Sequence, residues 1–85
     1  MALGQGNSQS SSLERPLDAL SEARGKRVFV ELKDGNSFVG ILRTFDIHIN
    51  TVLDEASEMR NGELKRKLGR VVIRGDNITI ISPEE

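Results

Sequence analysis

The segment FDIHIN, residues 45–50, carries the side chains best suited to binding chemistry. Asp46, His48 and Asn50 alternate with apolar residues, and His48 is the only histidine among 85 residues. A carboxylate accepts hydrogen bonds, a neutral imidazole is flat with one donor and one acceptor, and an amide sets a donor beside an acceptor. Judged alone, the histidine and asparagine are more typical of a turn or of packing than of a ligand site. The alternation itself is typical of a buried strand.

A second polar group, Arg74-Gly75-Asp76, interrupts the apolar run VVIRGDNITI, residues 71–80. Asp46, His48 and Asp76 can be drawn as a metal-ligating trio, but one histidine and no cysteine make a poor transition-metal site. The chain also lacks a glycine-rich phosphate loop ahead of a helix and an evident nucleophile–base pair. We therefore expect no enzyme activity, no cofactor and no bound metal.

Composition restricts any nucleic-acid site to a local patch. The formal net charge is −1, with 12 Lys and Arg against 13 Asp and Glu. Residues 60–67, RNGELKRK, are locally basic, whereas residues 54–58, DEASE, are acidic. Such a balance favours a focused site over a basic coat. No apolar stretch reaches signal-peptide or membrane-spanning length, so we expect an intracellular, cytoplasmic protein with no membrane partner.

The elements that must position these residues begin with a tail and a short helix. Residues 1–12 are small and polar, which predicts a flexible tail ahead of one domain over residues 13–83. Pro16 suits a helix start and Gly25 a helix stop. The stripe of Leu13, Leu17 and Leu20 has helical spacing and must lie on another element, because so short a helix is unstable alone.

The remainder predicts an all-β fold. We expect strands over residues 27–32, 37–45, about 48–54, 67–74 and 77–82, with a hairpin turn at 33–36 and a polar loop at 56–63. Gly40 inside the second strand indicates a bend or a close backbone approach. Gly75-Asp76 forms a tight link, and the three phenylalanines belong to the core. Together these features predict a short N-terminal helix capping a strongly bent five-stranded antiparallel open barrel.

An open barrel leaves two strand edges unpaired. Pairing the edges between copies would satisfy them, and two different edges joined head-to-tail close into a ring. GRVVIR, residues 69–74, and NITIIS, residues 77–82, are the expected joining strands, since neither carries a guarding proline. A small chain without cysteine also gains stability from such association.

Three segments of the chain resemble a known family. RPLDAL, residues 15–20, the residues Gly40, Phe45-Asp46, His48 and Asn50 of GILRTFDIHIN, and VIRGDNI, residues 72–78, resemble the opening helix and the two motifs of the Sm and Sm-like (Lsm) RNA-binding proteins. The archaeal branch is the most similar. The resemblance implies the Sm fold, and a homo-oligomeric ring, usually a heptamer, joined through the fourth and fifth strands.

The resemblance also implies an RNA-binding site. Carried over by position, His48, Asn50 and Arg74 would form a nucleobase pocket supported by Gly75 and Asp76. Flat imidazole and guanidinium groups can sandwich a base. The Asn50 amide matches the O4 acceptor and N3–H donor of uracil, and Asp76 would hold that amide in orientation. Asp46 is expected to be a structural residue that binds nearby backbone amides.

The expected function is binding of single-stranded uridine-rich RNA in pockets around a central pore, supporting RNA processing or turnover alongside other RNA-processing proteins. A ring that scaffolds protein partners without uridine binding is the alternative. Contacts from the basic residues 65–67 or Arg15 to RNA are weaker expectations. Thr51 departs from the family pattern, where an apolar residue is common, and is expected to loosen packing behind the pocket.

Overall fold

The computed structural model describes residues 15–84, which contain one helix and five antiparallel strands. The expected tail over residues 1–12 and Leu13 lie outside the described residues. The strands form one sheet in the order β4-β3-β2-β1-β5. Its elements are α1 (Pro16–Glu22), β1 (Arg27–Leu32), β2 (Asn36–Phe45), β3 (Thr51–Arg60), β4 (Glu63–Ile73), one 3-10 turn (Gly75–Asn77) and β5 (Ile78–Pro83).

Helix α1 is fixed at both ends, as its sequence predicts. Arg15 precedes Pro16 in extended conformation, and its backbone N–H donates to Asp18 Oδ2 at 3.1 Å. After the helix, Gly25 adopts a φ of +85° and donates its N–H to the Leu42 carbonyl at 2.7 Å. Leu20 packs on the core, so the helix lies against the strands as expected.

Two of the expected strands, β3 and β4, have limits that differ from the prediction. β3 begins at Thr51 rather than near residue 48, and it runs to Arg60 through the predicted loop. β4 begins at Glu63, so residues 56–63 are two strand ends joined by a tight turn at Asn61 and Gly62. Both turn residues have positive φ, of 53° and 81°, which is the geometry of a type I′ hairpin turn.

Gly40 marks a close approach between β2 and β3. A Cβ built on Gly40 would lie 2.9 Å from the Asp54 carbonyl oxygen and 3.1 Å from the Ala56 Cα. The β2–β3 register shifts between Val39 and Ile41. The predicted bend at this glycine is therefore present as a ladder irregularity with close backbone contact.

The core lies on one face of the sheet. Val28 and Val30 alternate on β1, as the period of a strand requires, whereas Leu53 and Ala56 on β3 are three residues apart, across a register shift. Phe38 and Phe45 pack against the core. Phe29 lies between buried Val28 and Val30 and so points to the opposite face, half-buried. The expectation that all three phenylalanines belong to the core is wrong for Phe29. The core is Ala23, Val28, Val30, Leu42, Leu53, Ala56 and Ile73.

β4 and β5 are the two edges of the sheet, as predicted from their sequences. Each pairs with a single neighbour within residues 15–84, β4 with β3 and β5 with β1. Val72 on β4 is 70% exposed and Ile80 on β5 is 50% exposed. Within the same residues, no helix has the length and hydropathy needed to span a membrane.

Candidate nucleic-acid interface

Residues 46–50 form a turn that Asp46 holds together. Asp46 Oδ1 accepts the backbone N–H groups of His48 at 2.9 Å and Asn50 at 3.0 Å. The Asp46 N–H donates to the Asn50 carbonyl, and Ile49 takes a φ of +65°. The strand start expected near residue 48 is therefore wrong, because the carboxylate offers the backbone a better set of partners than a ladder would. Ile47, expected to be buried, is 76% exposed.

The Asn50 side chain is held at both ends. Its Nδ2 donates to Asp46 Oδ2 at 3.0 Å, and its Oδ1 accepts the Gly75 N–H at 2.8 Å. The reverse amide orientation would face Nδ2 with the Gly75 donor and Oδ1 with the carboxylate, so only one orientation is compatible with this network. One N–H and one Oδ1 lone pair remain for a ligand.

Asp46 therefore has the orienting role that was predicted for Asp76. The prediction of Asp46 as a residue that binds backbone amides is correct, but it overlooked the second carboxylate oxygen, which orients Asn50. The sequence signal for this contact is an aspartate four residues before an asparagine, a spacing that brings the two side chains together across a tight turn. Asp76 Oδ2 instead accepts Arg74 Nη2 at 2.9 Å, and both side chains are exposed.

Gly75 brings the two segments together because it has no side chain. A Cβ at this position would overlap the His48 carbonyl oxygen and lie 2.8 Å from the Ile49 carbonyl carbon. The Gly75 N–H thereby reaches an acceptor, which is Asn50 Oδ1 of the same chain. Glycine is the only residue that permits this contact without moving the turn.

The expected site residues share one open pocket. It has a volume of about 480 Å³ and combines side chains from the 46–50 turn with the segment that follows β4. His48 supplies a flat group from the turn, and Arg74 supplies one from the segment after β4. Asn50 lies where these two segments meet. The pocket is lined by His48, Asn50, Arg74, Gly75 and Asp76.

Electrostatics keep the Asp46 carboxylate charged. The hydrogen bond from the Asn50 side chain is the main cause that lowers the pKa of Asp46 below its ordinary value of 3.8. Partial burial opposes the shift, and the backbone donors of His48 and Asn50 reinforce it. At neutral pH Asp46 thus accepts three hydrogen bonds as a carboxylate.

Thr51, behind the turn, has a hydrogen-bond partner for its hydroxyl group. It is fully buried, and its Oγ1 donates to the Ile49 carbonyl oxygen at 2.6 Å. The hydroxyl therefore satisfies a backbone acceptor at the residue with positive φ. The expectation of weakened packing at this position stays a prediction.

The weaker candidates lie apart from the pocket lining. Residues 65–67 belong to strand β4 rather than to a loop, and Arg66 Nε binds Glu58 Oε1 at 2.7 Å. The Arg15 guanidinium pairs with Asp18 at the helix start. Within residues 15–84, no group of three or more His, Cys, Asp or Glu side chains is placed to hold a metal ion.

Proteins of a known family are similar to this chain in sequence. A model of the LSM domain family matches residues 18–83. An Sm-like snRNP protein of Methanococcoides burtonii is 52% identical over 69 residues, which is 81% of this chain and 96% of the relative. One from Thermococcus kodakarensis is 49% identical over 72 residues, covering 85% of this chain and 95% of the relative.

Solved structures agree with the fold. The Pyrococcus abyssii Sm protein in complex with a uridine heptamer has a TM-score of 0.81 at 46% identity, covering 84% of this chain and all of that one. The P. aerophilum SmAP1 heptamer has a TM-score of 0.77 at 40% identity, covering 82% and 93%. The predicted Sm fold class is thereby confirmed. Sequence, fold and the two loop motifs together establish that the chain belongs to the LSM domain family, among the Sm-like proteins of archaea.

Proposed function

We propose that this protein binds single-stranded uridine-rich RNA as a homo-oligomeric ring, with one base in the pocket of each subunit. The observation that carries the proposal is the Asn50 amide, held in one orientation by Asp46 and Gly75 in a pocket that His48 and Arg74 also line. An amide fixed in this way discriminates between bases that differ only in where they donate and accept.

The hydrogen-bonding groups left on Asn50 suit uracil. One N–H can donate to the O4 acceptor of uracil, and the remaining Oδ1 lone pair can accept its N3–H. Cytosine presents an N4 amino donor where uracil presents O4, and its N3 is an acceptor. Because the amide cannot reverse without opposing both Asp46 and the Gly75 N–H, cytosine would meet donor against donor.

Stacking would supply most of the affinity for each base. The imidazole of His48 and the guanidinium of Arg74 are planar groups at the same pocket, and stacking on such groups contributes roughly 1–3 kcal/mol per base. Arg74 and Asp76 are both largely exposed, at 77% and 61%, so solvent reaches the site and the ion pair can yield to a ligand.

Ring assembly would turn weak single-base binding into useful affinity. The edge strands β4 and β5 differ, so joining them between copies is a head-to-tail contact that can close. The P. aerophilum relative is a heptamer, and the P. abyssii relative was solved with a uridine heptamer. Successive nucleotides of one strand in successive pockets bind with a high effective concentration.

Binding of oligouridine and oligocytidine, followed by fluorescence anisotropy, tests the pocket. Wild-type protein should prefer uridine, and Asn50→Ala should reduce that preference more than it reduces overall affinity. Arg74→Ala leaves the Asn50 network intact and should weaken both oligonucleotides alike. Asn36→Ala is the matched control, because Asn36 lies in the β1–β2 hairpin outside the pocket. Equal binding of uridine and cytidine by the wild type would refute the proposal and favour a ring that scaffolds proteins.

Analytical ultracentrifugation tests the ring separately. We expect one species with about seven times the 9.4 kDa subunit mass, by analogy with the heptameric relatives. A folded monomer at micromolar concentration would contradict assembly through the two edges. We further propose a supporting role in RNA processing or turnover without catalysis, alongside other RNA-processing proteins in the cytoplasm, since binding needs only the groups described above.

A further inference from the structure

A second cluster of charge lies on the sheet face opposite the core. Arg43 on β2, Asp54 on β3 and Arg70 on β4 stand side by side, because β3 lies between the other two strands. Asp54 follows the fully buried Leu53 and so points away from the core. The two arginines border an open groove of about 380 Å³, here called the arginine groove, which is lined by Arg43, Thr44, Val52, Arg70 and Val72.

Asp54 fixes both guanidinium groups. Its Oδ2 lies 3.0 Å from Arg43 Nε, and its Oδ1 lies 2.6 Å from Arg70 Nε. A second bond joins Arg70 Nη2 to Asp54 Oδ2 at 3.2 Å. The hydrogen bond from Arg70 is the main cause that lowers the pKa of Asp54, so the carboxylate stays charged at neutral pH. The fixed geometry lessens the side-chain entropy that a ligand contact would cost.

The cluster keeps donors and a positive charge for a ligand. Two guanidinium groups against one carboxylate leave a net charge of +1, and the arginine side chains are 59% and 65% exposed while Asp54 is 23% exposed. A guanidinium carries five N–H donors. Arg43 contacts Asp54 through Nε, so its two Nη groups remain available, and Arg70 keeps Nη1.

Apolar residues form the floor beside these donors. Val52 pairs with Thr44 across β2–β3 and with Val72 across β3–β4, so the three residues form one row over three strands. Val72 is 70% exposed, so an apolar surface is accessible beside the donors. Planar guanidinium groups above an apolar floor suit a ligand that is both anionic and flat.

We propose that the arginine groove binds the phosphodiester backbone of single-stranded RNA, with a nucleobase resting on Val52 and Val72, as a site separate from the uridine pocket. The arginine fork matches phosphate oxygens in bidentate geometry. Phosphate contacts carry no base preference, so this site accepts any sequence. Edge pairing through β4 uses backbone groups, and Arg43, Thr44 and Val52 lie on β2 and β3, away from that edge.

Continuity with the uridine pocket favours RNA over an acidic polypeptide. Arg43 lies three residues before Asp46, and Arg70 lies four residues before Arg74, on strands that lead into the two pocket segments. At a strand rise of about 3.3 Å per residue, the groove lies on the order of 13 Å from the pocket. An RNA strand that leaves the uridine pocket across this face of the sheet would reach the arginine groove within a few nucleotides.

The test uses a 12-residue oligoadenylate, which lacks the donor and acceptor pattern of uracil. Binding is measured by anisotropy from 50 to 300 mM salt in wild type and in Arg43→Gln/Arg70→Gln. We expect the double variant to bind severalfold more weakly at 50 mM salt. The slope of log K against log salt should fall by about 0.7 for each phosphate that the variant no longer neutralises. The same comparison in an Arg74→Ala background reduces the contribution of the uridine pocket, so a loss that persists there belongs to the groove.

The matched control removes the same charge elsewhere. Arg27 and Arg60 are exposed arginines outside the groove, so Arg27→Gln/Arg60→Gln should leave the affinity and the slope near wild type. Equal losses in both double variants would mean a general charge effect and overturn the proposal. Poly-L-glutamate that binds as tightly as the oligoadenylate and loses as much in the groove variant would overturn it in favour of an acidic protein partner.

Failure of the groove and failure of the uridine pocket give different results. A wild type without preference for uridine over cytidine refutes the pocket, yet the oligoadenylate result still stands for the groove. A groove variant with unchanged oligoadenylate binding refutes the groove and leaves the uridine preference unaffected. Thermal unfolding of each variant checks that a loss of binding is not a loss of folding.

Discussion

Asn50 and Gly75 are 25 residues apart in the chain, and a 2.8 Å hydrogen bond from the Gly75 N–H to Asn50 Oδ1 joins them. The bond links the turn that follows β2 to the segment that follows β4, two places that strands β3 and β4 separate in sequence. It also occupies one of the two acceptor positions on the amide oxygen. The same contact therefore closes the fold at this end and fixes the orientation of the group proposed to read the base.

Gly75→Ala should destabilise the protein because a methyl group cannot fit at this contact. The added Cβ would overlap the His48 carbonyl and lie 3.0 Å from the Asn50 nitrogen. Such overpacking typically costs about 2 kcal/mol, or roughly 8–16 °C in Tm for a domain of this size. Thermal unfolding followed by circular dichroism measures the loss. Gly35→Asn is the control for added bulk: apart from the chain neighbours, no atom lies within 4 Å of a Cβ there, so its smaller loss reports only the strain of a φ of +90°. Equal Tm values for Gly75→Ala and wild type would contradict the contact.

Asp46→Asn should lower stability in a pH-dependent manner. The folded-state pKa of Asp46 is depressed below its ordinary value of 3.8, so the carboxylate stabilises the folded state above that value. The stabilisation is lost as the pH falls through the folded-state pKa. Urea unfolding of wild type and variant at pH 7 and at pH 3 should show a gap that narrows in acid. A gap of constant size from pH 7 to pH 3 would mean that the three hydrogen bonds do not depend on the charge of Asp46.

Asp76→Asn tests whether Asp76 pairs only with Arg74 or also orients the Asn50 amide, the role that the sequence analysis assigned to it. Asp76 contacts Arg74 and not Asn50, so the variant should keep the preference for uridine over cytidine within about twofold while changing overall affinity. Because the Arg74–Asp76 pair is exposed, its removal should change the free energy of unfolding by less than about 0.5 kcal/mol. Competition binding with the two oligonucleotides measures the preference. Loss of the preference in Asp76→Asn would return the orienting role to Asp76.

The sequence predicted the elements more reliably than the polar contacts between them. Gly40 was correctly interpreted as a close approach, since a glycine inside an apolar strand typically marks a bulge or a place where two backbones meet. The segment 46–50 was misassigned because alternation with period two fits a strand, whereas the deciding partners of Asp46 are backbone groups that no pattern displays. The pocket residues were found through motif resemblance, and their proximity is a tertiary fact.

The β3–β4 hairpin was missed for a different reason. Residues 56–63 are polar enough to suggest a loop, yet they contain Asn61-Gly62, the dipeptide most typical of a two-residue hairpin turn. Glu58 is of a residue type that usually faces solvent, but it is only 6% exposed and forms an ion pair with Arg66 at 2.7 Å. The pairing of a buried carboxylate across strands depends on register, and register is fixed by the turn rather than by local composition.

Thr51→Val tests whether the buried hydroxyl supports the site. Valine has nearly the same shape but cannot donate to the Ile49 carbonyl, which Thr51 Oγ1 reaches at 2.6 Å. An acceptor left unsatisfied near a fully buried side chain typically costs about 1–3 kcal/mol, so the variant should unfold at lower temperature despite its greater hydrophobicity. Chemical denaturation with urea gives the difference in unfolding free energy.

Thr51→Ser is the complementary variant, because serine keeps the hydroxyl and loses the methyl group. If the hydrogen bond maintains the positive φ of Ile49, Thr51→Ser should retain uridine preference at a modest cost from the lost methyl, about 1 kcal/mol. Thr51→Val should lose part of the preference for uridine. Asn50 directly follows Ile49 on the same turn, so a change in the Ile49 backbone would move the Asn50 amide. A valine variant that is more stable than wild type, with unchanged preference, would show that position 51 requires only an apolar residue and that the turn is held by Asp46 alone.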